Sequence, residues 1–510
     1  MGTKMKASDR PAIFQPIKIE NLRKRIEWMI DHLPHNEDVV LEKPRSTSDV
    51  YRALTKIRGF RFVQDATWRK YLDGGTATSR DVAEALKILY PNMPPSALTC
   101  EKFDDFAKSD AVAEVTVAIA RWTEASEVVA SQRDELARIA KSYHAGVDAS
   151  PDFPLITGKG WLPRRPIELK ENDHFPRLEF EIPDVECIPL DGLVGGYVDV
   201  KQQMLTGDQR LTNGPTFRLS SINPSDDAPG LTFSPGHYYN YINTCEALAA
   251  ELADAWKRGS NIGPGDLSLR GEANRIFDLR WRSAFPGVNC LLVLKDYFDG
   301  YHSDETLRAQ DKFLMHKRGQ STLEAQNTWH VVPAGGHQPV SEDFESDVEQ
   351  LIWWTAVREF IEELFDKEEA AKLRERGHDF LSLPEVRPFV NQIFRKPKVA
   401  KVFYLGMGFD PVTTKPEILV CIVINWRAIS AVDWRAVTNQ SFKGLKIVGN
   451  YEGKIHWREF TRERLLAEAT RPHEKGSVLP AGAACLLRVA EPEVFSVISA
   501  ACPSENTSHG

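Results

Sequence analysis

Hydrophobic and polar positions divide the 510-residue chain into a helical first part and a mixed second part. Between residues 16 and 145, apolar residues recur mainly at three- and four-residue steps, which is typical of amphipathic helices. From residue 175 onward, short runs that alternate apolar and polar side chains predict β-strands separated by turns. The fold class that we predict is a multidomain protein in which an N-terminal all-α region precedes an α+β region.

Changes in residue composition and in the hydrophobic pattern mark the predicted domain boundaries. Proline and glycine cluster between Gly146 and Pro166, which makes this stretch the clearest linker in the chain. The predicted segments are a leader at 1–15, a helical region at 16–95, a second helical segment at 96–145, the linker at 146–174, an α+β extension at 175–285, an α+β domain at 286–490 and a tail at 491–510.

The segment 286–490 has the most regular pattern. Short apolar or alternating runs predict strands, and apolar positions at helical spacing predict an amphipathic helix. The predicted strands are 289–294, 312–318, 329–332, 401–406, 417–426, 446–449 and 454–460, and the helix is centred on 358–364.

Three carboxylates share one face of that helix. Glu359 precedes Glu362 by three residues and Glu363 by four, so the side chains project together. Each like-charge pair at this spacing costs roughly 0.2–0.5 kcal/mol on an open helix surface, and Arg358 can pair with only one of them, Glu362 at i+4. A divalent cation would balance the others, because Mg²⁺ binds carboxylate oxygens. The alternative is an acidic helix face in contact with solvent.

The run from Arg358 to Leu364 resembles the second half of the Nudix box, G-x5-E-x7-R-E-U-x-E-E-x-G-U, where U is a bulky aliphatic. The Gly335-Gly336 turn, which follows a strand-like run, resembles the loop that opens the box. The resemblance implies a Nudix-like α/β/α sandwich over 286–490. It further implies that Glu359 is a metal ligand or base, that Glu362 and Glu363 are metal ligands, and that Arg358 holds Glu359 in place.

The first half of the box departs from the family pattern. Gln350 stands where a glutamate is expected, Glu349 comes one step early, and the glycine turn lies too far upstream. Phe365 and Asp366 replace the final glycine and aliphatic residue. These departures leave two alternatives open, since the fold can be retained with or without the chemistry.

Further site residues follow from the same resemblance. In the family, an acidic residue often comes from the loop before the last strand, and Glu452 is the candidate here. Gly335 and Gly336 would bind substrate, and the sequence candidates for gripping phosphate are Lys312, Lys317 and Arg318. The implied cofactor is Mg²⁺ or Mn²⁺, and the implied function is hydrolysis of a pyrophosphate bond in a nucleoside-diphosphate-linked compound.

A second resemblance lies near the N-terminus. A short basic helix, 64–73, ends at Gly74-Gly75, and a helix capped by Thr78 or Ser79 follows. This resembles the recognition helix of the lambda-repressor-like helix-turn-helix family, and it implies that Arg69 and Lys70 bind DNA. The alternative function is therefore a nucleotide-sensing transcriptional regulator whose Nudix-like domain is not catalytic. A small helical bundle with an ordinary basic surface is the other interpretation.

The composition of the chain limits the classes of binding partner that we expect. Apolar content of 42%, charged content of 27% and a net charge of −8 are those of an ordinary globular protein, with no whole-chain signal for nucleic acid or membrane binding. Seven scattered cysteines without a C-x-x-C pair suggest reduced thiols. The longest apolar run, 418–424, is too short to cross a membrane, and the N-terminus lacks the apolar core of a signal peptide. We expect a cytoplasmic protein that binds a nucleotide-type small molecule and, through its first helices, DNA.

Overall fold

The structure is a computed structural model of the 510-residue chain. It describes residues 22–32, 44–54, 68, 72, 82, 85–86, 89–90, 110–144, 150, 152–171, 177–180, 182–193, 196–205, 211–223, 230–259, 262–263, 266–297, 310–318, 328–339, 344, 351–364, 381, 383, 386–430, 432, 453–471 and 476–503. The described helices are α1 (Leu22–His32), α2 (Thr47–Leu54), α3 (Asp110–Ser131), α4 (Arg133–Tyr143), α5 (Tyr197–Gln203), α6 (Tyr238–Tyr241), α7 (Ala247–Lys257), α8 (Ile352–Leu364), α9 (Arg387–Phe389), α10 (Trp426–Ser430), α11 (Arg462–Ala469), α12 (Pro480–Ala490) and α13 (Pro492–Ala500). The described strands are β1 (Ile167–Leu169), β2 (Arg177–Leu178), β3 (Pro215–Asn223), β4 (Gly230–His237), β5 (Gly287–Tyr297), β6 (Gln310–Arg318), β7 (Trp329–Val331), β8 (Ala334–Gly336), β9 (Ala400–Phe409), β10 (Pro416–Asn425) and β11 (Gly453–Glu459).

The chain divides into two compact units. One comprises residues 1–124 and 189–210, and the other comprises 125–188 and 211–510. Most of the predicted linker and extension therefore belongs to the same unit as the segment 286–490. The reason is pairing, because β1, which lies inside the predicted linker, forms the edge of the main sheet next to β9.

The first unit is helical where it is described. On α1, Leu22, Ile26 and Met29 follow the spacing of a helix and are fully buried. Val50 and Leu54 of α2 are fully buried as well. Both helices lie in the segment 16–95, which the apolar spacing predicts to be helical.

The predicted DNA-binding pair lies in the same unit. Arg69 and Lys70 fall outside the described residues, although Trp68 and Leu72 on either side of them are described and buried. The assignment of a groove-facing pair therefore stays a prediction.

The second unit is built on a mixed sheet of eight strands, in the order β1-β9-β10-β5-β6-β11, with β7 paired to β6 and β8 paired to β5. Strands β5 and β10 run parallel, and the other pairs in this sheet are antiparallel. The central strands β5 and β10 are buried at most of their positions, which is typical of strands that are covered on both faces.

Helices cover both faces of this sheet. Val288, Cys290 and Leu292 of β5 belong to a core that includes the buried side of α8, and we call this side the α8 face. Leu291 and Val293 point the opposite way, into a core formed with α12 and α13. The described residues therefore form an α+β protein, as predicted at this coarse level.

The remaining elements extend this unit. Strands β2, β4 and β3 form a separate three-stranded sheet, and Phe217 and Leu219 of β3 join the core on the α8 face. The segment predicted as a tail contains α13, because Val494 and Ile498 are apolar at helical spacing and fully buried. In the described part of the chain, none of the helices has the length and apolar character that crossing a membrane requires.

Candidate functional site

Helix α8 places the predicted carboxylates beside the sheet. Its apolar positions Ile352, Val357 and Phe360 are buried, as the sequence spacing predicts. Glu359 is 7% exposed, while Glu362 and Glu363 are half-buried. Glu359 is therefore packed against protein, whereas Glu362 and Glu363 keep part of their surface in contact with solvent.

Arg358 connects the helix to the glycine turn. Its Nη2 donates to Glu359 Oε1 at 2.5 Å and to the carbonyl oxygen of Gly336 at 3.0 Å. The guanidinium is fully buried, and it lies 5.1 Å from the ring centre of Trp354, a contact that offsets part of its desolvation. The spacing alone would also allow a pair with Glu362, but the partner found here is Glu359.

The two glycines of the turn are required by close contacts. A Cβ atom on Gly335 would overlap the carboxylate of Glu359, and one on Gly336 would overlap the ring of Phe285. Gly335 pairs with Val288 of β5, so the turn continues the sheet directly beneath the carboxylate. The chain thus brings Gly335, Gly336, Arg358 and Glu359 into one site.

The other two carboxylates follow Glu359 by three and four residues on α8. Glu362 Oε1 is buried and has no hydrogen-bond partner among the described residues. Burial raises the pKa of the Cys290 thiol well above its usual range, and the neighbouring Cys485, Glu359 and Glu363 raise it further. The charges of Glu359 and Glu363 therefore act on a thiol that belongs to the core on the α8 face.

A Mg²⁺ or Mn²⁺ ion can be tested against these donors. Carboxylate oxygens are the ligands that both ions prefer, and the unpartnered Oε1 of Glu362 is the atom that a cation would satisfy. Among the described residues, however, no group of three or more His, Cys, Asp or Glu side chains is arranged to hold a metal ion. Glu452, the fourth predicted ligand, lies outside the described residues. The chemistry of the donors fits the cation, but Glu359, Glu362 and Glu363 are all described and do not form such a group by themselves.

The basic side chains that are predicted to bind phosphate do not lie together. Lys312 is on the α8 face of β6, where its Nζ donates to Gln310 Oε1 at 2.6 Å. Lys317 is exposed on the opposite face, 6.0 Å from the ring centre of Trp329. The side chain of Arg318 lies outside the described part of the structure. Because side chains alternate between the two faces of a strand, Lys312 and Lys317 cannot bind the same phosphate group.

A polar cluster at the start of β5 was not predicted. Asn289 Nδ2 donates to Glu417 Oε2 at 2.7 Å, and Asn289 Oδ1 accepts from His330 Nε2 at 2.9 Å. Burial raises the pKa of Glu417, while Lys415 and the hydrogen bond from Asn289 act in the opposite direction. These residues come from three distant stretches of the chain, so no local motif could have revealed the cluster.

Comparisons with known proteins add no assignment. A scan against models of protein families finds no match, and a search of curated protein sequences finds none either. The Nudix and helix-turn-helix resemblances therefore stay predictions from the sequence.

Proposed function

We propose that the segment 286–490 is a Nudix-like domain that hydrolyses a pyrophosphate bond in a nucleoside-diphosphate-linked compound, with Mg²⁺ or Mn²⁺ as cofactor. The observation that carries this proposal is the contact of Arg358 with both Glu359 and Gly336, because it joins the two separate halves of the resemblance at one point. A sheet with helices on both faces supports the Nudix-like α/β/α sandwich.

Each residue has a distinct role in this proposal. Arg358 fixes the rotamer of Glu359, so that a proton-accepting carboxylate is held in one position. Gly335 has no side chain, and this lets the Glu359 carboxylate itself lie directly against the turn. Glu362 and Glu363 would hold the cation. When bound, the cation would polarise a phosphoryl oxygen and lower the pKa of an attacking water.

The test removes the two charges without removing the side chains. The double variant Glu362→Gln with Glu363→Gln is assayed for Mg²⁺-dependent release of phosphate products from ADP-ribose, UDP-glucose and NAD. We expect turnover to fall about a hundredfold or more, since catalysis of this type depends on ionised carboxylates. The matched control is Glu463→Gln with Glu493→Gln, which removes two exposed carboxylates of the same unit.

Two results would contradict the proposal. Full turnover in the Glu362→Gln, Glu363→Gln variant would show that these carboxylates are not needed. Nucleotide binding by the wild type without any turnover would support the second function predicted from the sequence instead, a nucleotide-sensing regulator.

A further inference from the structure

Arg282 is a buried cation without a direct counter-charge. Its side chain is fully buried, and its Nη1 donates to the carbonyl oxygen of Asp278 at 3.3 Å. The other two nitrogens, Nε and Nη2, are buried and have no hydrogen-bond partner. In the described part of the chain, no carboxylate forms an ion pair with this guanidinium. Because burying a charge is costly unless it is paired and hydrogen-bonded, the surroundings of Arg282 favour an additional acceptor.

The other fully buried arginines described in the second unit have more acceptors. Arg218 and Arg358 each form an ion pair with a carboxylate. Arg270 donates to the carbonyl oxygens of Leu248, Pro411 and Val412. Arg282 has one carbonyl partner, at the long end of the hydrogen-bond range, and is therefore the least satisfied of the four.

The two unpartnered nitrogens of Arg282 form one edge of its guanidinium, and we call this edge the Arg282 fork. The N–H groups of Nε and Nη2 point in the same direction, so they match two oxygen atoms of a carboxylate or phosphate group. The rings of Phe409 and Trp281 lie with their centres 4.9 Å and 5.5 Å from the guanidinium carbon. Since aromatic rings pack on the faces of a guanidinium, these contacts leave its edge for a ligand.

The carboxylates of neighbouring segments are already engaged. Asp278 forms an ion pair with the exposed Arg280, whose Nε is 2.9 Å from Asp278 Oδ1. Asp410, which follows Phe409 directly, forms an ion pair with Arg133 at 2.9 Å. An anion bound at the Arg282 fork would supply the negative charge that these two carboxylates give to other arginines.

A second buried arginine borders the same turn. Arg270 donates to the carbonyl oxygens of residues 411 and 412, just after the ring that contacts Arg282, and its own Nε is buried without a hydrogen-bond partner. The pKa of Arg270 is lowered to about 10, mainly by burial and in smaller part by the charge of Arg282, while nearby carboxylates act in the opposite direction. An anion near both guanidinium groups would reduce their mutual repulsion.

We propose that the Arg282 fork binds a small oxyanion, namely phosphate, sulfate or a carboxylate group, beside the turn that follows Phe409. Trp281 is half-buried and Arg280 is exposed, so the fork adjoins a surface segment from which a small ion has a short way to it. The role of the ion is structural, because it connects the segment 270–282 to the turn 409–412. None of these residues takes part in the proposed pyrophosphate hydrolysis, so the inference does not depend on it.

The experiment measures thermal unfolding of the full chain in the presence of a chelator for divalent metals. Sodium phosphate, sulfate or acetate replaces sodium chloride at constant ionic strength. We expect at least one of the three oxyanions to raise Tm by about 2 °C or more in a saturable way, because a ligand that binds only the folded state stabilises it by mass action. Calorimetric titration with the same ion gives its Kd.

Three variants assign the effect to the fork. Arg282→Met keeps a long side chain beside the rings and should abolish the response to the oxyanion. In chloride alone, this variant should be at least as stable as the wild type, because an uncompensated buried charge has been removed. Arg282→Lys keeps the charge but lacks two parallel donors, so its response should be weaker. Arg427→Met removes an exposed arginine of the same unit and should keep the wild-type response.

A further variant separates this site from the proposed active site. The Glu362→Gln, Glu363→Gln variant should respond to the oxyanion like the wild type. A response that is lost in this variant would assign the ion to the active site and overturn the inference, whatever the result of the hydrolysis assay.

The remaining outcomes also decide the proposal. A saturable rise in Tm that is lost in Arg282→Met and kept in Arg427→Met supports it. Equal effects of chloride and all three oxyanions overturn it, because ionic strength alone would then explain them. A wild-type response in both Arg282→Met and Arg282→Lys overturns it as well. If Arg282→Met does not fold, the proposal requires a weakened response in Arg282→Lys, and an unchanged one contradicts it.

Discussion

Arg358 joins helix and glycine turn through a single nitrogen atom. Its guanidinium is fully buried, so breaking the contact with Glu359 would leave a charge without its partner in the protein interior. Removing one member of a buried pair typically costs about 3–5 kcal/mol, far more than an exposed pair. The Arg358 side chain therefore helps to fix the position of Glu359, and the same nitrogen atom connects the carboxylate to the turn.

The turn itself offers the sharpest test at this scale. In Gly335→Ala, the added methyl group would overlap the carboxylate of Glu359, so either the turn or the carboxylate must move. We expect the free energy of unfolding in urea to fall by about 1–3 kcal/mol, and the metal-dependent turnover to fall with it. Gly214→Ala is the control, because a Cβ at that position meets nothing within 4 Å. Equal stability and equal turnover of both variants would refute the close contact.

The sequence indicates only part of this site. Arg358, Glu359 and Gly335 belong to one local pattern, and such patterns can be recognised without a fold. The separation of Lys312 from Lys317 could have been predicted from strand alternation, once the strand was assigned. The cluster of Asn289, Glu417 and His330 could not, because it depends on which strands become neighbours.

At the scale of elements, apolar runs predict the central strands well and the periphery poorly. Strands β5, β6, β9, β10 and β11 overlap the predicted runs, and the first four of them contribute several consecutive buried residues. Strand β1 was interpreted as linker because it has only three residues and adjoins prolines. Helix α13 was interpreted as tail because its polar residues and flanking Pro492 obscure a short apolar stripe.

The packing of α13 predicts that shortening a buried side chain destabilises the protein, whereas shortening an exposed one changes its stability little. Val494 is fully buried against the core, whereas Val117 of α3 is 67% exposed. We expect Val494→Ala to lower the free energy of unfolding by about 2 kcal/mol, through lost apolar burial and the cavity left behind. The same substitution at Val117 should change it little. Chemical denaturation of both variants measures the difference, and a similar small effect at both positions would show that α13 does not pack as described.

His144, at the C-terminal end of α4, predicts that the stability of the fold depends on pH. His144 donates through Nδ1 to the carbonyl oxygen of Ala273 at 2.7 Å, and burial, together with Arg270 and Arg282, lowers its pKa from 6.5 to about 4. Because this pKa is lower in the folded state, the unfolded chain takes up the proton first as pH falls. Stability is therefore lost as pH decreases from 6.5 towards 4, by about 2 kcal/mol between pH 7 and pH 5.

The measurement is urea denaturation at both pH values. In His144→Gln this loss should largely disappear, whereas His237→Gln should keep the wild-type dependence. A pH dependence that survives unchanged in His144→Gln would assign it to other groups.

At the scale of the whole molecule, composition constrains function only weakly. A net charge of −8 distributes over two units, and between residues 16 and 91 there are 14 Lys and Arg against 11 Asp and Glu. Such a small surplus is compatible with a DNA-binding surface and with an ordinary helical bundle. A nucleotide-dependent domain and a DNA-binding region can occur in one chain, so the two functions predicted from the sequence are not exclusive.

The salt dependence of DNA binding distinguishes a DNA-binding surface from an ordinary helical bundle. If the helix-turn-helix prediction is correct, binding of the full chain to a random-sequence DNA duplex weakens steeply with salt, because each phosphate contact releases counterions. The variant Arg69→Ala with Lys70→Ala should then reduce the slope of log affinity against log salt by about 2. The control is Arg23→Ala with Lys24→Ala, which removes the same two charges from the exposed side of α1. Equal effects of both pairs would indicate general charge attraction, and no effect of the first pair would contradict a groove-facing helix. A reduced salt slope seen only in the Arg69→Ala, Lys70→Ala variant would assign DNA binding to the basic helix, because both variants remove the same number of charges.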